Sequence, residues 1–284
     1  MNRLDSVKRA EVVSALVEGC SIRSTVRLTG VAKNTVTKLL IELGAACSEY
    51  LDKALVNLAA KRVQCDEIWS FVGAKDKNIP TKRKDEDGIG SAWTWVAIDA
   101  DSKLICSWLV GKRDPGCATQ FIQDLAARLA HRVQLTTDGL RCYLTAVADG
   151  FGSNIDYAML VKIYGNDVVE GEKRYSPAIC TGAQKQPKIG DPDERHISTS
   201  YIERQNLTMR MGMRRFTRLT NAFSKKIENH AASVALYCMH YNFVRIHQTL
   251  RVTPAMAAGI TGRLWSISDI IALLSAATSE HRVA

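Results

Sequence analysis

Gln64-Cys65-Asp66-Glu67-Ile68-Trp69-Ser70-Phe71-Val72 decides how the rest of the chain is read. Its aromatic and β-branched residues describe a strand bound for a buried sheet. A carboxylate inside such a strand is costly to bury unless a cation or hydrogen-bond donors meet it. Successive strand residues point to opposite faces, so Asp66 and Glu67 diverge. We take Asp66 as the functional acid and expect Glu67 to face away.

Two further acids stand in comparable places. Asp138 closes the run Val133-Gln134-Leu135-Thr136-Thr137 ahead of Gly139, and Glu203 sits in the helical segment Tyr201-Ile202-Glu203-Arg204-Gln205-Asn206-Leu207. Taken singly, Asp138-Gly139 reads as a turn and Glu203 as a helix-surface acid. Brought together, the three make a hard-oxygen ligand set without His or Cys, which selects Mg²⁺, or Mn²⁺ in its place, over zinc. Two such ions relieve the mutual repulsion of the carboxylates and stabilise both oxygens of an in-line displacement at phosphorus.

Outward from the first acid, turn and cap residues divide the chain. Ser6 is expected to cap a first helix ended by Gly19, Ser21 a second closed by Gly30, and a third to run over 32–43 before Gly44. That spacing is a helix-turn-helix pattern. Its recognition helix would present Lys33, Asn34, Thr35, Thr37 and Lys38 to phosphates and base edges of DNA. Residues 45–62 read as a helical connector. Strands follow at 66–73, 93–99 and 104–110, then a helix started by Asp114 and Pro115, a strand at 133–137, a helix over 141–148 and a strand at 157–164. Residues 165–197, rich in Gly, Pro, Lys and Glu, read as a long surface loop. Helices are expected at 199–211 and 224–245, with a short one capped by Thr253 and a last one at 267–276. The domains would be 1–44, the linker 45–62, a mixed α/β catalytic domain over 63–260 with the 165–197 insertion, and a tail over 261–284.

Composition narrows the function class. The 284 residues are 46% hydrophobic and 24% charged, a globular balance, and the net charge of +9 favours a polyanionic partner. Arg204, Arg210, Arg214, Arg215 and Arg218 form a basic run beyond Glu203, suited to phosphate by the planar guanidinium fork. The eight cysteines include no CxxC pair, which excludes zinc-finger spacing, and fit buried free thiols of a reducing compartment. No apolar run of membrane-spanning length and no secretory leader is read, so the expected location is the cytoplasm. Trp93, Trp95 and Trp108 read as sheet core or its cover.

The element order, three antiparallel strands followed by strands reached through helices, resembles the ribonuclease-H-like fold, in which the first and fourth strands are neighbours. The motifs around Asp66, Thr137-Asp138-Gly139 with Tyr143, and Tyr201 to Leu207 resemble D-D-E transposases, most closely the insertion-sequence-one family. Tyr241-Asn242-Phe243-Val244-Arg245-Ile246-His247-Gln248-Thr249-Leu250 with Thr253-Pro254 is similar to the tail of many such enzymes. The resemblance implies Asp66, Asp138 and Glu203 as metal ligands, and Arg204, Asn206 and Arg210 as accessory residues near the scissile phosphate or the donor end. It also implies terminal inverted repeats and target DNA as partners, a homodimer or higher oligomer, and the bacterial cytosol. Relatives often carry a zinc finger of paired cysteines that this chain lacks, which leaves end recognition to the helix-turn-helix. The alternative is a catalytically inactive, transposase-derived DNA-binding regulator. His196 and His247 read as structural or weakly functional.

Overall fold

The computed structural model describes residues 4–83, 86–165, 180–217 and 221–280; Arg218 and residues 166–179 of the expected loop lie outside them. The strands are β1 (Arg62–Val72), β2 (Gly90–Asp99), β3 (Ile105–Gly111), β4 (Gln134–Thr137), β5 (Asp156–Tyr164) and β6 (Cys180–Ile189). The helices are α1 (Ser6–Val17), α2 (Ile22–Thr29), α3 (Lys33–Ala54), α4 (Pro115–Arg128), α5 (Cys142–Phe151), α6 (Ser200–Gly212), α7 (Ile227–Phe243), α8 (Pro254–Ala257) and α9 (Ile267–Glu280). Among the described residues no helix is long and apolar enough to cross a membrane.

The strands make one mixed sheet in the order β3-β2-β1-β4-β5-β6. β1, β2 and β3 are antiparallel, and β4 runs parallel to both β1 and β5. β1 and β4 are therefore neighbours, as the element order implied. Trp95, fully buried, packs against Phe121 of α4 and Tyr143 of α5 on one face. The other face meets α6 and α7. β1 starts earlier than expected, because polar Gln64 is buried for a purpose: its Oε1 accepts the amides of Tyr201 (2.9 Å) and Ile202 (3.1 Å). Those are leading N–H groups of α6, whose N-cap Thr199 makes no side-chain cap bond. A β1 side chain thus fixes where α6 begins.

Local capping follows the sequence in part. Ser21, Asp114 and Thr253 cap their helices as expected, accepting from Ser24, Cys117 and Met256 amides. The first helix is capped by Asp5, which accepts from Lys8 N at 2.7 Å, and not by Ser6. Two larger expectations are corrected. The third helix does not stop before Gly44 but continues to Ala54, through the expected linker, and packs along α7. The expected loop contains β6, an edge strand paired with β5.

Beneath the sheet, His230 of α7 is fully buried, its Nε2 3.2 Å from Ser70 Oγ and its Nδ1 3.1 Å from Ser224 Oγ. Burial, and then the nearby Arg215 charge, hold its pKa down to about 3. An imidazole in the unfolded chain titrates near ~6.5, so between these values the unfolded state binds more protons and stability rises with pH. This contribution is complete above ~6.5 and is lost as pH falls toward 3, at no more than about 1.4 kcal/mol per pH unit. Urea midpoints between pH 4 and 7 should show this slope, and His230→Gln should flatten it. Equal slopes in the two proteins would remove His230 as the source.

Candidate active site

The register places the acids. Cys65 pairs with Thr137 across the parallel β1–β4 ladder, so the next residue along each strand is Asp66 and Asp138. Asp66 Oδ1 accepts its neighbour's amide, Glu67 N, at 2.8 Å, and Oδ2 accepts Asn206 Nδ2 of α6 at 2.9 Å. Asp138 Oδ1 accepts Leu140 N at 2.9 Å, a local turn bond that holds the carboxylate at the strand end. Glu203 lies one helical turn before Asn206 on the same face of α6. Its Oε2 takes Lys162 Nζ of β5 at 2.6 Å, and its Oε1 accepts the Thr199 hydroxyl.

The third member of the tightest acidic group is Glu67 and not Glu203. Ligand oxygens of Asp66, Glu67 and Asp138 lie within 4.8 Å of one another. Glu67 does face the opposite side of the sheet, toward Tyr143 and α5, as alternation requires. At the carboxyl end of β4, however, its longer side chain reaches the same group. Arg113 joins the two: its Nε is 3.1 Å from Glu67 Oε2, a terminal nitrogen is 3.7 Å from Asp138 Oδ2, and the guanidinium stacks on Trp93 at 4.7 Å.

The electrostatics follow from this crowding. Burial first, and then the Asp138 charge, push the Asp66 carboxyl up to about 6, while the Glu67 amide and Asn206 pull against them. Burial and Asp138 likewise push Glu67 up to about 7, opposed by Tyr143 and Arg113. Asn206 Oδ1, beside Asp66, is buried and has no hydrogen-bond partner among the described residues. Clustered carboxylates, an amide oxygen left to accept, and the absence of His or Cys from the group fit a hard divalent cation.

The other sequence-selected residues fall into two sets. Lys33, Asn34 and Thr35 are exposed at the start of α3; Thr37 is half-buried, its hydroxyl donating to Lys33 O; Lys38 is exposed, 3.7 Å from Glu42. Arg204 and Arg214 are exposed, and Arg210 and Arg215 are partly buried. Asn206 is buried against Asp66 and does not face outward as a DNA contact. His196 sits beside Arg62 at the start of β1, four residues before Asp66, and is not a member of the acidic group. Lys162 and Arg113 were not singled out from sequence. A lysine inside the apolar strand over 157–164 was the available signal for the first; nothing local marks the second.

The fold and site define a mixed α/β protein with an acidic cluster where β1 and β4 meet. The chain is similar to a piggyBac transposase synaptic complex with hairpin DNA, at TM-score 0.43 and 10% identity, over 96% of this chain and 70% of that one. It is similar to a Mos1 transposase paired-end complex with the left transposon end (TM-score 0.25, 15% identity) and to a Mos1 mariner paired-end complex with Mn (0.24, 14%). Each Mos1 match covers 55% of this chain, and 60% and 59% of the other chain respectively. No family and no curated protein sequence matches.

Proposed function

We propose that the chain is a D-D-E transposase with a ribonuclease-H-like catalytic core and a helix-turn-helix built from α1, α2 and α3. It cuts at the ends of a mobile DNA element and joins the freed 3′-hydroxyls to target DNA. One observation carries the reading: Asp66 and Asp138 end up side by side on parallel strands, with Glu203 on the helix whose Asn206 bonds Asp66. Asp66, Asp138 and Glu203 would hold two Mg²⁺ ions, or Mn²⁺ in their place, which when bound activate the attacking oxygen and stabilise the departing one.

The chain's own residues supply the rest. Asn206 donates to Asp66 Oδ2 and leaves Oδ1 to its neighbour's amide, so that carboxylate is oriented from two directions. Arg113 holds Asp138 from the far side of the sheet, with Glu67 as its buried counter-charge and Trp93 fixing its plane. Lys162 holds Glu203 at the site. Arg204 and Arg214, both exposed, would meet DNA backbone. Inverted repeats would be bound by the N-terminal helices, and pairing of two ends requires a homodimer or higher oligomer.

The full chain, incubated with a labelled element end and a target plasmid, should yield joined product in Mg²⁺ or Mn²⁺ and none in EDTA. Cleaved ends that never join would reduce the protein to a nuclease. Product formed in EDTA would remove the metal from the account.

A further inference from the structure

A groove of about 1060 Å³ lies between the N-terminal helices and the segment joining α6 to α7. Arg23 and Lys33 line one wall, and Arg214, Arg215, Lys225 and Lys226 the other; among the described residues no aspartate or glutamate lines it. The whole chain carries 38 basic and 29 acidic residues, so this exclusion of acids is not the average of its composition. The walls meet where Gly19, at φ +81°, abuts the last residue of α6: a Cβ added there would stand 2.8 Å from the Gly212 carbonyl oxygen.

Two further features point to an anion. α3 and α7 both start at the groove, and neither has a side-chain cap. The leading N–H groups of α3 therefore add positive potential beside Lys33, whereas Glu228 in the first turn of α7 offsets that of α7 beside Lys226. Independently, Arg215 is partly buried yet forms no ion pair with a carboxylate among the described residues. Its guanidinium donates to Ser224 Oγ at 2.6 Å, and burial alone pulls its pKa down to about 10. A buried guanidinium without a counter-charge is costly unless a ligand brings one.

We propose that this groove seats the phosphodiester backbone of a single nucleic-acid strand. Its volume is that of a large ligand pocket (~1,000 Å³), enough for a short run of nucleotides of one strand. Cations on both walls meet phosphates, while Asn34, Asn221 and Asn229 offer amides to base edges. Amides between the cations, able both to donate and to accept, suit base edges better than the acceptor-only side chains of an acidic peptide. Glu203 stands nine residues before Gly212, about 13 Å along α6 at 1.5 Å per residue. On the proposed function, the strand in the groove is thus the one flanking the reacting bond.

The test is fluorescence anisotropy of the full chain in EDTA, with a labelled 15-nucleotide strand (~15 nt suits a groove of this type) and the matching duplex, across a salt series. The variant Lys33→Gln/Lys225→Gln/Lys226→Gln is compared with Lys53→Gln/Lys61→Gln/Lys188→Gln, an equal charge loss at exposed positions outside the groove. The groove variant should lose at least about tenfold in strand affinity, and its salt slope should fall by about 2, three contacts at ~0.7 each. The control should stay within about twofold, a change too small to signal a lost phosphate contact. Equal losses in both variants, unchanged strand binding in the groove variant, or a polyglutamate peptide that the strand cannot displace would each overturn the proposal. Asp66→Asn should bind the strand normally. Strand binding through the groove by a protein that never cuts would overturn the catalytic reading alone, and normal cutting with no groove dependence of binding would overturn the groove alone.

Discussion

Asp66→Asn should abolish metal-dependent cutting and joining, by at least about a thousandfold, equivalent to about 4 kcal/mol of transition-state stabilisation. The substitution keeps shape and volume but replaces a carboxylate oxygen with an amide nitrogen that cannot ligate a hard cation. It also puts an NH₂ group opposite Asn206 Nδ2, which now donates to Asp66 at 2.9 Å. Asn206 can answer by turning its amide, so the variant should fold normally. DNA binding, measured in EDTA, should stay near the wild-type value because the basic residues are untouched. Calorimetric titration with Mn²⁺ supplies the second readout, and the heat of binding should be lost with the activity. A variant that still binds Mn²⁺ with wild-type affinity and still cuts would transfer the role to Glu67 and Asp138, the other members of the tight group.

Gly44→Ala should destabilise the fold even though alanine is the better helix former by up to about 1 kcal/mol. A Cβ at Gly44 would stand 2.4 Å from Ala232 Cβ and 2.5 Å from Ala232 Cα, inside any allowed contact. These atoms belong to two helix backbones and cannot swing aside, so α3 and α7 must separate along their whole contact. Overpacking of this kind costs about 1–3 kcal/mol or more, and a melting temperature lower by at least about 2 °C is expected for a chain of this size. Adding Ala232→Gly to Gly44→Ala should recover part of the loss, since it removes the opposing methyl. Gly44→Ala melting at or above the wild type would mean the helices are not this close.

The same glycine shows why part of the fold was not legible. Glycine near the end of a periodic segment reads as a stop, and only the partner helix reveals that it is a crossing point. β6 was hidden for a different reason. Its Cys180-Thr181-Gly182-Ala183-Gln184-Lys185-Gln186-Pro187-Lys188-Ile189 stretch is almost wholly exposed, so no face of it is apolar and no alternation marks it. Its pairing depends on β5, and the pattern of a solvated edge is that of a loop. What the sequence did disclose was governed by burial: β1, β2, β4 and β5 announce themselves as apolar runs, and the acids stand out because they interrupt or end such runs. The reach of Glu67 was missed because the alternation rule fixes the direction of Cβ and not where a carboxylate three bonds further out arrives. Arg113 and Lys162 act through contacts distant in sequence, which a local pattern does not encode.

The unbroken course of α3 bears on redesign. One rod carries Lys33 and Asn34 at its tip and lies against α7 and α9 with its shaft. On the proposed function, the DNA-reading head cannot be unscrewed from such a rod: cutting the gene near codon 44 would strip Leu43, Cys47 and Leu51 of their cover and leave a sticky fragment in place of a portable module. Retargeting by transplant would have to exchange the tip residues on the intact shaft, or import the shaft together with the helices that sheathe it.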